Sequence, residues 1–245
     1  MGRNENGTAA GSQPPACRRV SADRRSARLC GAVHICNLYT DLRAQTAISQ
    51  LARSLRDKTG NLKRMTGIFP DYPAPIVRTG EDGGRELVLV RWGMRSPAFA
   101  LEGKTIDKGV TNVCNTKSPH GRRWLGPTSR CLATFTAFAE PNRLPDGTSE
   151  NVWFAIGEDR PLAFFAGVRT NWTSARKTSE GEDNADLFAI LTTDPNAEVG
   201  AAHQKPDLFR AAEAALQLCI ACRRVCEPYV LCLRRIAWFS APTLR

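Results

Sequence analysis

The run Ile35-Cys36-Asn37-Leu38-Tyr39-Thr40-Asp41 decides how the rest of the chain is read. Cys36 to Tyr39 reads as a short strand. Thr40 or Asp41 can then cap a helix predicted to reach about Lys58, with Ala44, Ile48, Leu51 and Leu55 on one stripe and Gly60 as its stop. A folded domain starts at this run. The 34 residues before it are rich in Gly, Ser, Ala, Asn and Arg and show no sustained apolar period, so residues 1–34 are expected to be a disordered extension.

Downstream, strand signals prevail. Pro70, Pro73 and Pro75 keep 66–78 extended, and Glu81-Asp82-Gly83-Gly84 reads as a hairpin turn leading to Leu87–Val90. Residues 100–120 read as polar loop. Further strands are expected at 131–140, 152–156, 162–168 and 187–193. The segment 35–205 is thus one helix-poor α+β domain. From 206 the texture changes to an Arg- and Cys-rich tail that could hold one helix over 207–226, capped by Asp207.

The net charge of +10 invites an anionic partner. Residues 1–34 and 206–245 carry six Arg each against two and three acids, whereas 35–205 carries twenty-two Lys or Arg against nineteen acids. The middle therefore keeps only +3, and few phosphate contacts are expected from it. No run approaches the ~20 apolar residues that cross a bilayer, and no signal peptide is evident, so a cytoplasmic location is expected. The nine cysteines are then expected to be mostly reduced. Cys219, Cys222 and Cys226 have no His nearby and fit no zinc spacing, so neither metal nor cofactor is expected.

Cys36 is the candidate nucleophile. A lone cysteine is more often a small buried apolar group, and a thiol needs a base or a positive field to react. Asn112, Glu140 and His203 are the polar side chains that could surround it. Taken singly, they read as a turn former, a solvated loop acid and a capping or surface histidine. Trp92 could stack a base or fill the core; Thr192 could touch a phosphate or satisfy a strand.

A set of short blocks joins these residues. Cys36-Asn37-Leu38-Tyr39, Arg91-Trp92-Gly93-Met94, Thr111-Asn112-Val113, Arg130-Cys131-Leu132 with Phe138-Ala139-Glu140, Ala166-Gly167, and Leu191-Thr192-Thr193-Asp194-Pro195-Asn196 leading to His203 occur in one order. This order resembles the SOS response-associated peptidase (SRAP) family over about 36–205.

The resemblance implies a barrel-like, mostly antiparallel sheet with flanking helices, acting as a monomer on single-stranded DNA that carries abasic sites. It implies that Cys36, as a first residue, captures the ring-opened sugar as a thiazolidine through its α-amine and thiol, with peptidase-like removal of whatever precedes it. Asn112 would orient the cysteine or the sugar, Glu140 would shuttle protons and His203 would assist ring opening. Trp92 and Thr192 would contact the DNA.

The chain also departs from the family's pattern. Ile35 stands where the family has its initiator Met, Cys114 where it has Arg, and Thr134 where Pro is usual. Cys30, in Leu29-Cys30-Gly31, is a rival first residue, but no comparable strand and capped helix follow it. The tail lacks the family's closing strand, so residues 206–245 are expected to leave a sheet edge open. The second reading is accordingly a degenerate, inactive homologue with weak DNA binding at most.

Overall fold

The computed structural model describes residues 37–54, 56–192 and the backbone of 238–241. In chain order these form β1 (Leu38–Asp41), α1 (Gln45–Ala52), β2 (Arg56–Asp57), β3 (Met65–Ile68), β4 (Pro73–Thr79) and β5 (Arg85–Trp92). Next come α2 (Ala98–Leu101), β6 (Asn112–Val113), α3 (Pro119–Arg122) and a 3-10 turn (Pro127–Ser129). The remaining strands are β7 (Arg130–Phe135), β8 (Ala137–Arg143), β9 (Ser149–Ile156), β10 (Ala163–Ala175), β11 (Glu182–Leu191) and β12 (Trp238–Ala241).

Five strands close a barrel. The sequence β5-β4-β7-β10-β11 is antiparallel at each step, and a parallel contact of β11 with β5, pairing Leu187 with Arg91 and Phe188 with Trp92, completes the ring. A second, antiparallel sheet in the order β12-β9-β8-β1-β3 lies beside it. The chain passes between them at Thr136, whose amide donates to Thr40 O at 2.7 Å and whose hydroxyl lies 3.0 Å from that of Thr40.

The alternation of side chains along each strand explains why the two sheets share one core. The barrel interior supplies Ile76, Trp92, Phe165 and Phe188, and the second sheet supplies Tyr39 and Phe138, all buried in a single apolar cluster. Phe135 stacks on Phe165 with ring centroids 3.8 Å apart, and Tyr39 meets Trp92 edge to face at 4.9 Å. A satellite cluster under α1 buries Ile48 and Ala52 against Val77 and Leu87.

The α+β expectation, with a barrel-like and mostly antiparallel sheet, holds. Its detail changes in three places. The helix after Asp41 is half the expected length: Thr40 and Asp41 are buried strand residues, Ala44 takes the cap position without a side-chain bond, and Arg53 ends the helix in the left-handed region at φ 49°. The polar stretch 100–120 contains two short helical turns and the two-residue strand β6. The expectation that the tail leaves the sheet edge open is corrected by β12. Its Trp238–Ala241 backbone pairs antiparallel with β9, from Trp238 opposite Ile156 to Ala241 opposite Trp153, and so satisfies that edge. The extension 1–34 and the helix expected at 207–226 lie outside the described residues. Among the described residues no helix is long and apolar enough to cross a membrane.

Candidate functional site

Several strand ends meet at one pole of the barrel. β6 is held there because Asn112 and Val113 run parallel to β11, opposite Ile190 and Leu191. The carbonyl of Thr111 accepts from Ile190 N at 2.9 Å and from Trp92 Nε1 at 3.0 Å, and Val113 O accepts from Thr192 N at 3.1 Å. These bonds fix the backbone on both sides of Asn112.

Its side chain is connected to the start of β1. Asn112 Nδ2 donates to Thr111 Oγ1 at 3.1 Å, and that hydroxyl donates to Asn37 Oδ1 at 3.0 Å. The residue following Cys36 is thereby tied to the Asn112 block by side chains alone. From the other direction, β8 pairs Ala139 with Leu38. One step further along the same antiparallel register, Glu140 stands across from Asn37. Glu140 is 1% exposed. A carboxylate that deeply buried is rare unless it is engaged, which removes the reading of Glu140 as a solvated loop acid.

Asn112 and Glu140 are therefore brought to the same chain position, beside Asn37. Cys36 and His203 lie outside the described residues. Trp92 requires correction: it is fully buried, packs on Tyr39 and Phe188, and spends its indole N–H on Thr111. No ring face is open to a base, so its place is to hold Thr111, and through it Asn112. Thr192 is 2% exposed, and its hydroxyl has no hydrogen-bond partner among the described residues.

Behind this pole an arginine fastens the Trp92-Gly93-Met94 block. Arg176, almost wholly buried, donates to Asp107 O at 3.0 Å and to Gly93 O. Burial holds its pKa below the usual arginine value, opposed by Asp107 and Asp71. A Cβ on Gly109, at φ 78°, would collide with this guanidinium, so only glycine fits there. Asp107 ties down the same loop, accepting from Ser96 and from Gly109 N at 2.8 Å.

Cys114 is disulfide-bonded, an exception within a set of cysteines expected to be mostly reduced. Cys131 is free and buried, and burial pushes its thiol up to about 12. It is a packing group, with no capacity to act as a thiolate near neutral pH. Among the described residues no group of His, Cys, Asp and Glu is placed to hold a metal ion.

A hollow of about 330 Å³ opens beside Asn37, lined also by Phe69, Pro141 and Asn151. Ala139 and Pro141 both line it, so strand alternation turns Glu140, between them, to the opposite face.

Asn37 and Thr111 were within the quoted sequence blocks, but nothing in their spacing pairs them. Their bond exists only once β1 and β6 arrive at the same pole.

A family model described as SOS response associated peptidase (SRAP) matches residues 29–216. The match extends past Lys205 into the tail and spans both Cys30 and Cys36. No curated protein matches. Among solved structures, the chain is similar to a protein from Bacteroides thetaiotaomicron with a TM-score of 0.55 and 16% identity, covering 84% of this chain and 92% of that one. A phage-related protein from Bordetella bronchiseptica gives 0.52 and 17%, covering 85% and 95%. A second protein from the same organism gives 0.51 and 18%, covering 70% and 80%.

Proposed function

The chain belongs to the SOS response-associated peptidase family, and with it to DNA-damage-associated proteins that work on DNA; from that premise we propose that it captures abasic sites in single-stranded DNA through Cys36. The observation that carries this reading is the side-chain path from Asn112 through Thr111 to Asn37, with buried Glu140 standing across from Asn37. Such an arrangement supports a polar, preorganised setting for the residue that precedes Asn37.

In this reading the α-amine of Cys36 attacks the aldehyde carbon of the ring-opened sugar. Loss of water gives an imine, and the thiol sulfur then adds to the same carbon while its proton passes to the imine nitrogen, closing a thiazolidine. A free α-amine has a pKa near ~7.7–8.0, so a useful fraction is neutral at physiological pH. Amine and thiol on one residue give the second step a high effective concentration. Glu140 carries protons for dehydration, Asn112 orients Cys36 or the sugar, and His203 assists opening of the sugar ring. Trp92 contributes from behind, and the buried Thr192 contacts the strand only where its hydroxyl is uncovered.

The chemistry needs Cys36 to be a first residue, because an amide nitrogen after Ile35 cannot form the imine. Removal of the residues ahead of Cys36, by self-processing or by another peptidase, is therefore part of the proposal. The test compares the full chain with a protein that begins at Cys36, each incubated with abasic single-stranded DNA and run on a denaturing gel. Heat-stable crosslinking by the shortened protein, and by the full chain only after mass spectrometry detects cleavage before Cys36, is the expected result. Failure of the shortened protein to crosslink supports the second reading, a homologue whose site no longer reacts. The disulfide-bonded Cys114 at the position where the family has Arg favours that reading.

A further inference from the structure

The mouth of the barrel away from Asn112 is lined by charge. On β10, Phe165 belongs to the central apolar cluster, and a Cβ on Gly167 would press on Cys131 of that cluster. Strand alternation therefore turns Arg169 and Asn171 to the same inner face. Phe188 of β11 stands opposite Arg169, and Asp186 opposite Asn171. On β4 and β5 the corresponding pair is Arg78 and Glu86. Towards Asn112 the interior is filled by Trp92, Phe165, Phe188 and Ile190. The polar side chains gather at the other end.

The carboxylates at this mouth are already engaged. Glu86 Oε1 accepts from Arg78 Nε at 2.7 Å, and Oε2 lies 2.5 Å from Lys58 Nζ. Asp186 Oδ2 accepts from Arg78 Nη1 at 2.5 Å, and Oδ1 accepts from Asn171 Nδ2 at 3.2 Å. No oxygen is left for Arg169. Its side chain is half-buried and its Nε is enclosed, yet it makes no hydrogen bond and no ion pair among the described residues. Three cations thus meet two carboxylates. Arg78 and Arg169 both favour the ionised form of the Cys131 thiol against burial, so the two guanidiniums look onto the same part of the interior. A buried N–H without an acceptor is costly, and a guanidinium withdrawn from water without a counter-charge is more so.

We propose that this mouth of the barrel binds a small free oxyanion, a phosphate or a carboxylate, on the Nε–H and a terminal N–H of Arg169. The planar guanidinium fork matches two oxygens of either group. Such an anion supplies the acceptor that Glu86 and Asp186 cannot, and it brings the charge of the mouth to balance. Arg78, held in place by both carboxylates, adds positive potential beside it. An arginine that is merely solvated keeps its Nε open to water, and Arg169 does not. The site is separate from the pole at Asn112. On β11 four residues run from Asp186 to Ile190, the partner of Asn112, which is roughly 13 Å along the strand. The proposal therefore does not depend on the function proposed above.

The experiment uses the full chain, with sodium phosphate, sodium acetate or sodium chloride at one pH and one ionic strength. Calorimetric titration is expected to show one site for phosphate or for acetate, and the arm that titrates identifies the ligand. At ten times its Kd that anion should raise the melting temperature by about 3–5 °C over chloride. Arg169→Met keeps an apolar stem, removes the cation and should abolish both signals. Arg169→Lys keeps the charge without the fork and should weaken binding about tenfold. Arg122→Met, which removes an exposed cation on α3, should bind as the unaltered protein does. A rise that chloride reproduces is ionic screening and overturns the proposal. So does the absence of titration by both anions, or equal binding by Arg169→Met. Should Arg169→Met not fold, Arg169→Lys decides, and undiminished binding by that variant overturns the proposal.

Discussion

The hydroxyl of Thr111 donates to the side-chain carbonyl of Asn37 over 3.0 Å, bridging 74 positions of sequence. It also accepts from Asn112 at 3.1 Å, so one hydroxyl sets both the residue after Cys36 and the amide expected to orient the sugar. Thr111→Val keeps the shape and removes both bonds. In a protein beginning at Cys36, the crosslinking rate on abasic DNA is expected to fall about tenfold or more, since loosened positioning of reacting groups is costly. The melting temperature should move by only a few degrees. An unchanged rate would show that the path does not position the site.

Gly167 lies where β10 crosses Cys131 and Ala189. A Cβ there would stand 2.8 Å from Cys131 Sγ and 2.9 Å from Ala189 O, closer than real Cβ atoms come. Gly167→Ala should therefore destabilise the barrel by about 1–3 kcal/mol, measured by urea unfolding. Cys131→Ala frees space on the sulfur side alone, so the double variant should recover part of the loss and not all of it. In the native protein at pH 8, iodoacetamide should leave Cys131 unmodified, because its thiol is buried and pushed up to about 12.

Glu86 joins two strands through charge. It is buried beside Lys58 at 2.5 Å and Arg78 at 2.7 Å, and Arg78 also reaches Asp186 at 2.5 Å. The hydrogen bond from Lys58, against the opposing effect of burial and together with Arg78, holds the Glu86 pKa below the usual glutamate value. A pKa lowered in the folded state gives stability that is present above the unfolded value and is lost as pH falls through the folded one. Unfolding free energy should thus decline below about pH 4.3, the ordinary glutamate pKa. Glu86→Gln should cost about 1.5–3 kcal/mol at pH 7 and flatten that decline, as read from denaturant midpoints at several pH values.

Thr134, the residue that departs from the family's usual Pro, donates its hydroxyl to Asp41 and lies 3.3 Å from Pro75 O. Asp41 is 2% exposed, and burial raises its pKa against the lowering effects of Thr134 and Arg43. A raised folded pKa reverses the sign found at Glu86: this group's stabilising share is complete below the unfolded pKa and is lost as pH rises through the folded value. Thr134→Val removes a donor that eases the buried carboxylate. It should cost about 1–3 kcal/mol at pH 7 and less at pH 4, where Asp41 takes up a proton. Equal losses at both pH values would show that the Asp41 charge is not involved.

The sequence alone determined the class of fold and the approximate positions of most of its longer strands. Proline spacing, the Glu81–Gly84 turn and the period-2 runs are local signals, and hydrogen bonding between neighbouring strands respects them. It also held the family resemblance, because the blocks around Asn112, Glu140 and Thr192 survive as short words in a fixed order.

The tertiary structure decided what depends on distant partners. A tryptophan at a strand end looks the same in sequence whether it faces solvent or the core; the parallel contact between β5 and β11 closes the barrel over Trp92 and buries it. Thr40 and Asp41 carry the chemistry of helix caps, yet β8 offers Thr40 a strand partner and β7 offers Asp41 the hydroxyl of Thr134, and those bonds win over local propensity. The pairing of Trp238–Ala241 with β9 has no periodic signature, because an edge strand can be specified by the open hydrogen-bonding groups of its neighbour rather than by its own pattern. The link from Asn37 to Thr111 is of the same kind: neither residue has a reason to meet the other until the barrel brings their strands to one pole.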